Sequence, residues 1–284
     1  MKAKPSDWYK HNWGLEIKNM SWVENTGSEV DYIIKLCGMK GNERILDLAC
    51  GFGRHSLEFA RRGFSVVGAD ITEIYIEDAK KTAKEMGLTN AEFICCDIRD
   101  ITYSEEFDVV LNLADGAIGY LENDEENLKI FDTVSRALKH GGHHVCDLVC
   151  GEYADAHFPV KLWDSGSNTL SLSEFDWDRE KRIMLFGNCD IAYGELLRVP
   201  EIPEGDPTRV YTTTEIKEIM KKRDMEDKGA FAGYSTIPAG KENVKTPTDK
   251  FFVNAVFIMN QTPMAYIIIC FLLRKKPCSL TSTA

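Results

Sequence analysis

The stretch Ile45–Gly53, I-L-D-L-A-C-G-F-G, constrains this chain more than any other. Ile45-Leu46 and Leu48-Ala49 form a short apolar run that reads as a buried parallel strand, with one acid, Asp47, inside it. Cys50-Gly51-Phe52-Gly53 is a tight turn. Arg54–Arg62 then carries a helical pattern, with Leu57, Phe59 and Ala60 apolar and Gly63 as the stop. Strand, glycine turn and helix together suit a nucleotide-like ligand. Glycines let ligand and backbone approach closely, and the helix N-terminus offers free N–H groups.

A pyrophosphate-binding turn needs Gly-x-Gly-x-x-Gly, and here the third glycine position is Ser56. Instead an acid, Asp47, precedes Gly51 by four positions. Acid-x-x-x-Gly-x-Gly resembles the first motif of class I S-adenosylmethionine-dependent methyltransferases. That cofactor has no phosphate, so an acid near the turn is tolerable. The plainer reading is an ordinary strand–helix turn of an α/β protein.

The following chain alternates in the same way. Phe64–Asp70 reads as a second buried strand ending in an acid, and a carboxylate there can accept both ribose hydroxyls of an adenosine. The alternative for Asp70 is a cap for the helix Glu73–Met86, which Gly87 closes. Ala91–Cys95 is a third strand, followed by Asp97-Ile98. Phe107–Leu113 is a fourth, running into Ala114–Tyr120. Ligands bind outside the carboxyl ends of such strands, so Asn112, Asp115 and Tyr120 are candidates for the reacting side, and Asn112 also suits a backbone contact to a ligand's amino group. Asn123–Lys139 is an amphipathic helix with Leu128, Phe131, Val134 and Leu138 inward, and His143–Val149 is the fifth strand. Upstream, Trp8, Trp13 and Trp22 suit either a lid over a pocket or surface packing. Thr26–Glu29 reads as a capping box for a helix with Val30, Ile33, Ile34 and Cys37 on one face.

Taken together, Trp8-Tyr9 with Gly14, D-L-A-C-G-F-G-R-H-S, Asn112-Leu113 with Gly119-Tyr120, and A-L-K-x-G-G are similar to one bacterial and archaeal branch of class I methyltransferases. The likeness covers most of Trp8–Val149. It implies S-adenosylmethionine as cofactor, with contacts from Trp13, Asp47, Ala49, Gly51, Gly53, Arg54, Asp70, Ile71, Asp97, Ile98, Asn112 and Leu113. In that pattern Asp97 meets the adenine amino group and Ile98 packs on the ring, while Asp97 also reads as a plain loop acid. Two positions depart from the branch. His140 stands where a proline is usual, and Asp115–Tyr120 replaces a Thr-Ser-Phe-Gly-Tyr-like run. The second departure leaves the acceptor chemistry open: no catalytic base is dictated, and Asp115 and Tyr120 are the candidates.

Gly151–Thr208 breaks the alternation. Leu170–Trp177 alternates with period two, Asp178-Arg179-Glu180 reads as a turn, and Arg182–Ile191 is a second extended run. This hairpin is expected to form a β cap in which Trp163, Trp177 and Arg198 suit the lining of an acceptor site, while a Trp in a hairpin more often serves cross-strand packing. Pro200, Pro203 and Pro207 mark a loop. Thr212–Glu215 caps a helix, and Asp227–Tyr234 and Phe251–Met259 read as the last strands. Ala265–Leu273 is apolar, precedes Arg274-Lys275-Lys276, and is too short to span a bilayer. It suits a partner contact, a membrane surface or an extra strand.

The expected fold is therefore α/β, a Rossmann-like doubly wound seven-stranded sheet with an antiparallel final strand and an inserted antiparallel β cap. Expected units are 1–150 (lid and cofactor core), 151–210 (cap), 211–260 (rest of the core sheet) and 261–284 (a tail without assigned role). The 284 residues are 44% hydrophobic with a net charge of −11, which disfavours nucleic acid as main partner. Nine cysteines without a C-x-x-C pair or a secretory signal suit free thiols in the cytoplasm, and no metal site is expected. The expected activity is methyl transfer to a small molecule, with oligomeric state open. Alternatives are a cofactor-binding regulator without turnover and a methyltransferase of protein or peptide termini.

Overall fold

The computed structural model describes residues 1–11, 13–196, 202–232, 234 and 268–276. Its central sheet is built from the apolar runs. In chain order these elements are α1 (Thr26–Cys37), β2 (Arg44–Leu48), α2 (Arg54–Arg61), β3 (Ser65–Asp70), α3 (Glu73–Glu85), β4 (Ala91–Cys95), β5 (Phe107–Asn112), α4 (Asp124–Ala137) and β6 (Leu138–Val149), preceded by a short β1 (Lys2–Ala3). After them come α5 (Gly151–His157), β7 (Val160–Ser165), β8 (Thr169–Asp178), β9 (Ile183–Ala192), β10 (Glu204–Arg209), α6 (Thr213–Lys221), β11 (Met225–Ala232) and β12 (Ile268–Lys275).

Seven strands form one sheet in the order β11-β12-β6-β5-β2-β3-β4. β2 to β6 run parallel, and β12 is antiparallel to both its neighbours, β6 and β11. Side chains alternate across a strand, so each strand feeds two cores. Leu46, Leu48, Val67 and Val110 pack with Phe131 and Val134 of α4 on one face. Ile45, Val66, Val109 and Leu111 pack with Ile33 and Phe59 on the other. Both faces are covered, which is why these strands read as near-continuous apolar runs. The strand order reverses between β2 and β5, and such a switch point opens a crevice at the carboxyl ends of the strands.

The insertion is a second, antiparallel sheet in the order β1-β10-β9-β8-β7. The expected hairpin is its centre, β8 paired to β9 from Thr169↔Ala192 to Asp178↔Ile183. Helix α6 starts on the expected capping box, with Thr212 and Glu215 bonding each other's backbone N–H groups.

Three expectations need correction. Thr26–Glu29 is not a capping box: the N-cap is Asn25 without a side-chain bond, and Glu29 is buried against Arg54 and His55. A charged partner offers a stronger hydrogen bond than a backbone amide. Pro207 does not mark a loop but sits within β10, where it opposes Leu185. Trp163 is 54% exposed, and Trp177 donates to Asp155 Oδ1 at 3.2 Å under the Arg182 guanidinium, so cross-strand packing and solvent claim both. The apolar tail, for which an extra strand was one of three readings, supplies β12 (Ile268–Lys275), set between β6 and β11. Phe251–Met259, Arg198 and Pro200 lie outside the described residues.

Since β12 has a strand on either side, its side chains should matter as core residues. Leu273 is fully buried. Leu273→Ala should cost about 2–5 kcal/mol in urea unfolding, whereas Leu196→Ala, at a position 90% exposed, should stay within about 0.5 kcal/mol. Equal costs would contradict this placement of the tail.

Candidate active site

The site begins at the turn between β2 and α2. Ala49, Gly51 and Gly53 all have positive φ, at 56°, 57° and 79°. The two glycines do different work. A Cβ on Gly53 would stand 2.8 Å from the Phe93 ring, so that glycine lets α2 pack on β4. A Cβ on Gly51 would meet nothing closer than Tyr75 at 4.0 Å and would project into open space beside the turn.

Two carboxylates hold this turn. Asp70, at the tip of β3, accepts the Gly51 N–H at 2.9 Å through Oδ2 and the Thr72 N–H at 2.8 Å through Oδ1. Asp47, 2% exposed, accepts from Ser56 Oγ at 2.6 Å. Burial pushes the Asp47 carboxyl up to about 6, against the Ser56 hydrogen bond. Ser56 thus stands where a dinucleotide-binding turn has its third glycine, and it serves the acid. A pyrophosphate here would face two acids and find the Gly51 N–H already taken.

Above the turn lies a cavity of about 1370 Å³, bounded by the carboxyl ends of the strands, the N-terminal segment and the second sheet. Among the residues named from sequence, Trp13, Asp47, Ala49, Gly51, Arg54, Asp70, Ile71, Asp97, Ile98, Leu113, Asp115 and Tyr120 line it. Gly53 and Asn112 do not. Asn112 is fully buried: its Nδ2 donates to Gly116 O at 2.9 Å and its Oδ1 lies 3.1 Å from His144 Nε2. Its side chain shapes the turn after β5 instead of meeting a ligand. Asp97 lines the cavity and also caps a short 3-10 helix, bound through both oxygens to Arg99.

The early tryptophans belong to this site. Trp8 and Tyr9 are each 4% exposed and line the cavity. The Trp8 ring lies 4.9 Å from Tyr120 and 5.5 Å from Trp13. Trp8 Nε1 donates to Pro207 O at 3.3 Å, tying the lid to the second sheet. These contacts place Trp8 and Trp13 on the cavity wall.

Several lining residues escaped the sequence reading. Glu29 binds Arg54, and His55 Nε2 lies 2.7 Å from Glu29 Oε2. Burial pushes His55 down to about 4, so it stays neutral. Phe175, Met184, Phe186 and Asp190 come from the second sheet, where period two alone does not say which face meets the cavity. Asp147 carried a signal: like Asp47, it is an acid inside an apolar strand run, Val145–Val149. It is 2% exposed and lines the cavity. Its Oδ2 accepts from Tyr234 OH at 2.8 Å, and its buried Oδ1 has no hydrogen-bond partner among the described residues. Burial, then the nearby Asp115, push its carboxyl up to about 7. Asp115 is half-buried with its carboxyl facing the cavity, and burial pushes it up to about 6 against a 3.2 Å bond from Tyr120 OH.

A Rossmann-like sheet with a reversed strand, a glycine turn held by two acids and a capped cavity define a class I methyltransferase fold. Residues 39–221 match the family described as "Methyltransferase domain", and the chain belongs to that family. YqeM of Bacillus subtilis (strain 168), named as a methyltransferase, is 32% identical over 155 residues, covering 48% of this chain and 62% of YqeM. The tRNA (guanine(10)-N2)-dimethyltransferase of Methanothermobacter thermautotrophicus is 31% identical over 114 residues, covering 39% of this chain and 34% of that protein. The chain therefore spans less than two thirds of the length of either relative. A crystal structure of an S-adenosylmethionine-dependent methyltransferase from Clostridium acetobutylicum has the same fold, with TM-score 0.65, 15% identity, and coverage of 92% of this chain and 95% of that one.

The raised acids give a pH dependence. A carboxyl whose folded pKa lies above its unfolded value contributes stability below the unfolded pKa, and this is lost as pH rises through the folded pKa. For Asp147 the loss runs from about pH 4 to about 7. Asp147→Asn should therefore gain roughly 1–3 kcal/mol more in urea unfolding at pH 8 than at pH 5. A difference that does not change with pH would show that this carboxyl is not raised.

Proposed function

We propose that the chain is an S-adenosylmethionine-dependent methyltransferase with a small-molecule acceptor. One observation carries the cofactor reading: the glycine turn presents carboxylates, Asp47 and Asp70, and its Gly51 N–H is spent on Asp70. This suits an adenosine with a cationic tail better than a pyrophosphate. Gly51 leaves the space for the ligand, as its missing Cβ opens onto the cavity. Asp70 still has lone pairs for ribose hydroxyls, Ile71 and Ile98 offer apolar surface to a ring, and Trp13 closes the site from the N-terminal side.

When bound, S-adenosylmethionine supplies a methyl group already activated on a sulfonium. The chain's own task is to align the acceptor, exclude water and accept a proton where the acceptor carries one. A cavity of about 1370 Å³ exceeds the roughly 300–1,000 Å³ usual for one ligand, which leaves room for cofactor and a small acceptor together. RNA is disfavoured by the net charge of −11 and by the acids around the cavity. The tRNA-modifying relative aligns over 114 residues, a length that fits the shared cofactor core. All seven cysteines among the described residues are free, which suits a reducing compartment such as the cytoplasm.

In calorimetry S-adenosylhomocysteine should bind and NAD should not. Asp70→Ala should weaken that binding by about 1–3 kcal/mol, the range for a hydrogen bond to a charged group. Unchanged affinity in Asp70→Ala would reduce Asp70 to a turn cap, and NAD binding in place of S-adenosylhomocysteine would sink the proposal.

A further inference from the structure

The cavity has two ends. Asp70 ends β3 and Asp97 follows β4, on the side proposed for the adenosine. Asp115 follows β5 and Asp147 lies in β6, on the reacting side. At the first end Asp97 is gripped by Arg99, a residue that itself stands behind the cavity lining.

Three N–H groups of Arg99 reach the Asp97 carboxylate. The backbone N–H donates to Oδ1 at 2.9 Å, Nη2 donates to Oδ2 at 2.6 Å, and Nε is shared between Oδ1 at 3.0 Å and Oδ2 at 3.1 Å. An ionised carboxylate has about four acceptor positions, so these donors leave about one. The Asp97 side chain is 21% exposed, on a residue that lines the cavity, so a ligand can reach it. Burial pushes this carboxyl up, and the Arg99 hydrogen bonds outweigh that, holding it below its ordinary range. Asp97 is therefore ionised near neutral pH and can only accept.

The guanidinium is fixed from its other side as well. Nη1 binds Glu126 in the first turn of α4 and lies 3.5 Å from Glu122 Oε2. Glu122 Oε1 in turn accepts from Tyr9 OH at 2.9 Å and from Lys10 Nζ at 3.2 Å. The Arg99 side chain is 16% exposed, and its planar fork spans these acids in one orientation. Removing the guanidinium would leave Asp97, among the described residues, only the Arg99 backbone N–H, and its carboxylate would be free to turn.

An adenine seated on Ile71 and Ile98 brings its edge to Asp97, the neighbour of Ile98. Once joined to ribose, adenine carries a single donor group, the 6-amino group. Building on the methyltransferase reading, we infer that Arg99 is a positioning residue for base recognition, fixing Asp97 so that the last acceptor position of its carboxylate meets the 6-amino group of adenine. Arg99 touches no ligand and acts through Asp97. A 6-oxo base would point a carbonyl oxygen at the same carboxylate, exchanging a hydrogen bond for repulsion, so the site selects adenine over hypoxanthine.

The test compares S-adenosylhomocysteine with S-inosylhomocysteine, its 6-oxo counterpart, by calorimetry on the full chain. The wild type should bind the adenosyl ligand about tenfold or more tighter. Asp97→Ala and Arg99→Ala should each bring this ratio within about threefold, mainly by weakening the adenosyl ligand. In an Asp97→Ala background, Arg99→Ala should leave the ratio unchanged, as expected of a residue that acts through Asp97. Should Arg99→Ala fail to fold, Arg99→Lys keeps a charge beside Glu122 and Glu126 but loses the fork, and it should lower the ratio by about threefold or more. A wild type that binds both ligands equally, or a ratio that stays at the wild-type value in the Arg99 variant, overturns the inference and leaves Arg99 a structural ion pair. A wild type that binds neither ligand would instead sink the methyltransferase reading itself.

Discussion

Asp70 joins the tip of β3 to the glycine turn that follows β2, through two backbone N–H groups. Much of the site hangs on that junction. It spends the Gly51 amide that a phosphate would need, and it holds a carboxylate at the cavity wall. Asp47 lies below, kept in place by Ser56. Both acids are taken out of water at a cost in charge solvation. A protein keeps such groups where a ligand or a nearby donor makes use of them, and the proposed use is recognition of an adenosine whose other end is cationic.

The second sheet walls one side of this crevice. Its strands β8 to β10 supply an apolar and acidic wall, and the Trp8 indole is pinned both to β10 through Pro207 and to Tyr120 on the core side. Lid, cap and core therefore meet at one residue triad.

Sequence legibility followed local physics. The parallel strands were readable because each is a short apolar run between glycine turns, and Ala91–Cys95 is a strand over the range expected of it. Asp70 and Asp115 were expected beside a crevice because strand order dictates where one opens, and both line the cavity. The Asn112 side chain was not legible as a turn-former, because its hydrogen bond to the backbone of Gly116 depends on the tight turn after β5. Trp163 misled because a hairpin's two faces alternate, and nothing local says which one meets the core. Glu29 looked like a cap because the capping pattern ignores Arg54 and His55, which are distant in sequence. β12 was one of three open readings of the tail: its place between β6 and β11 depends on long-range pairing that composition cannot reveal.

The central claim is that one acid-walled chamber seats cofactor and acceptor in separate halves. A crystal structure of the protein with S-adenosylhomocysteine tests this most directly. The expected result has the ribose hydroxyls on Asp70, the cofactor chain crossing Gly51, and the sulfur directed toward Asp115 and Asp147. An adenosine seated away from Asp70, or a sulfur directed out of the chamber, would contradict it.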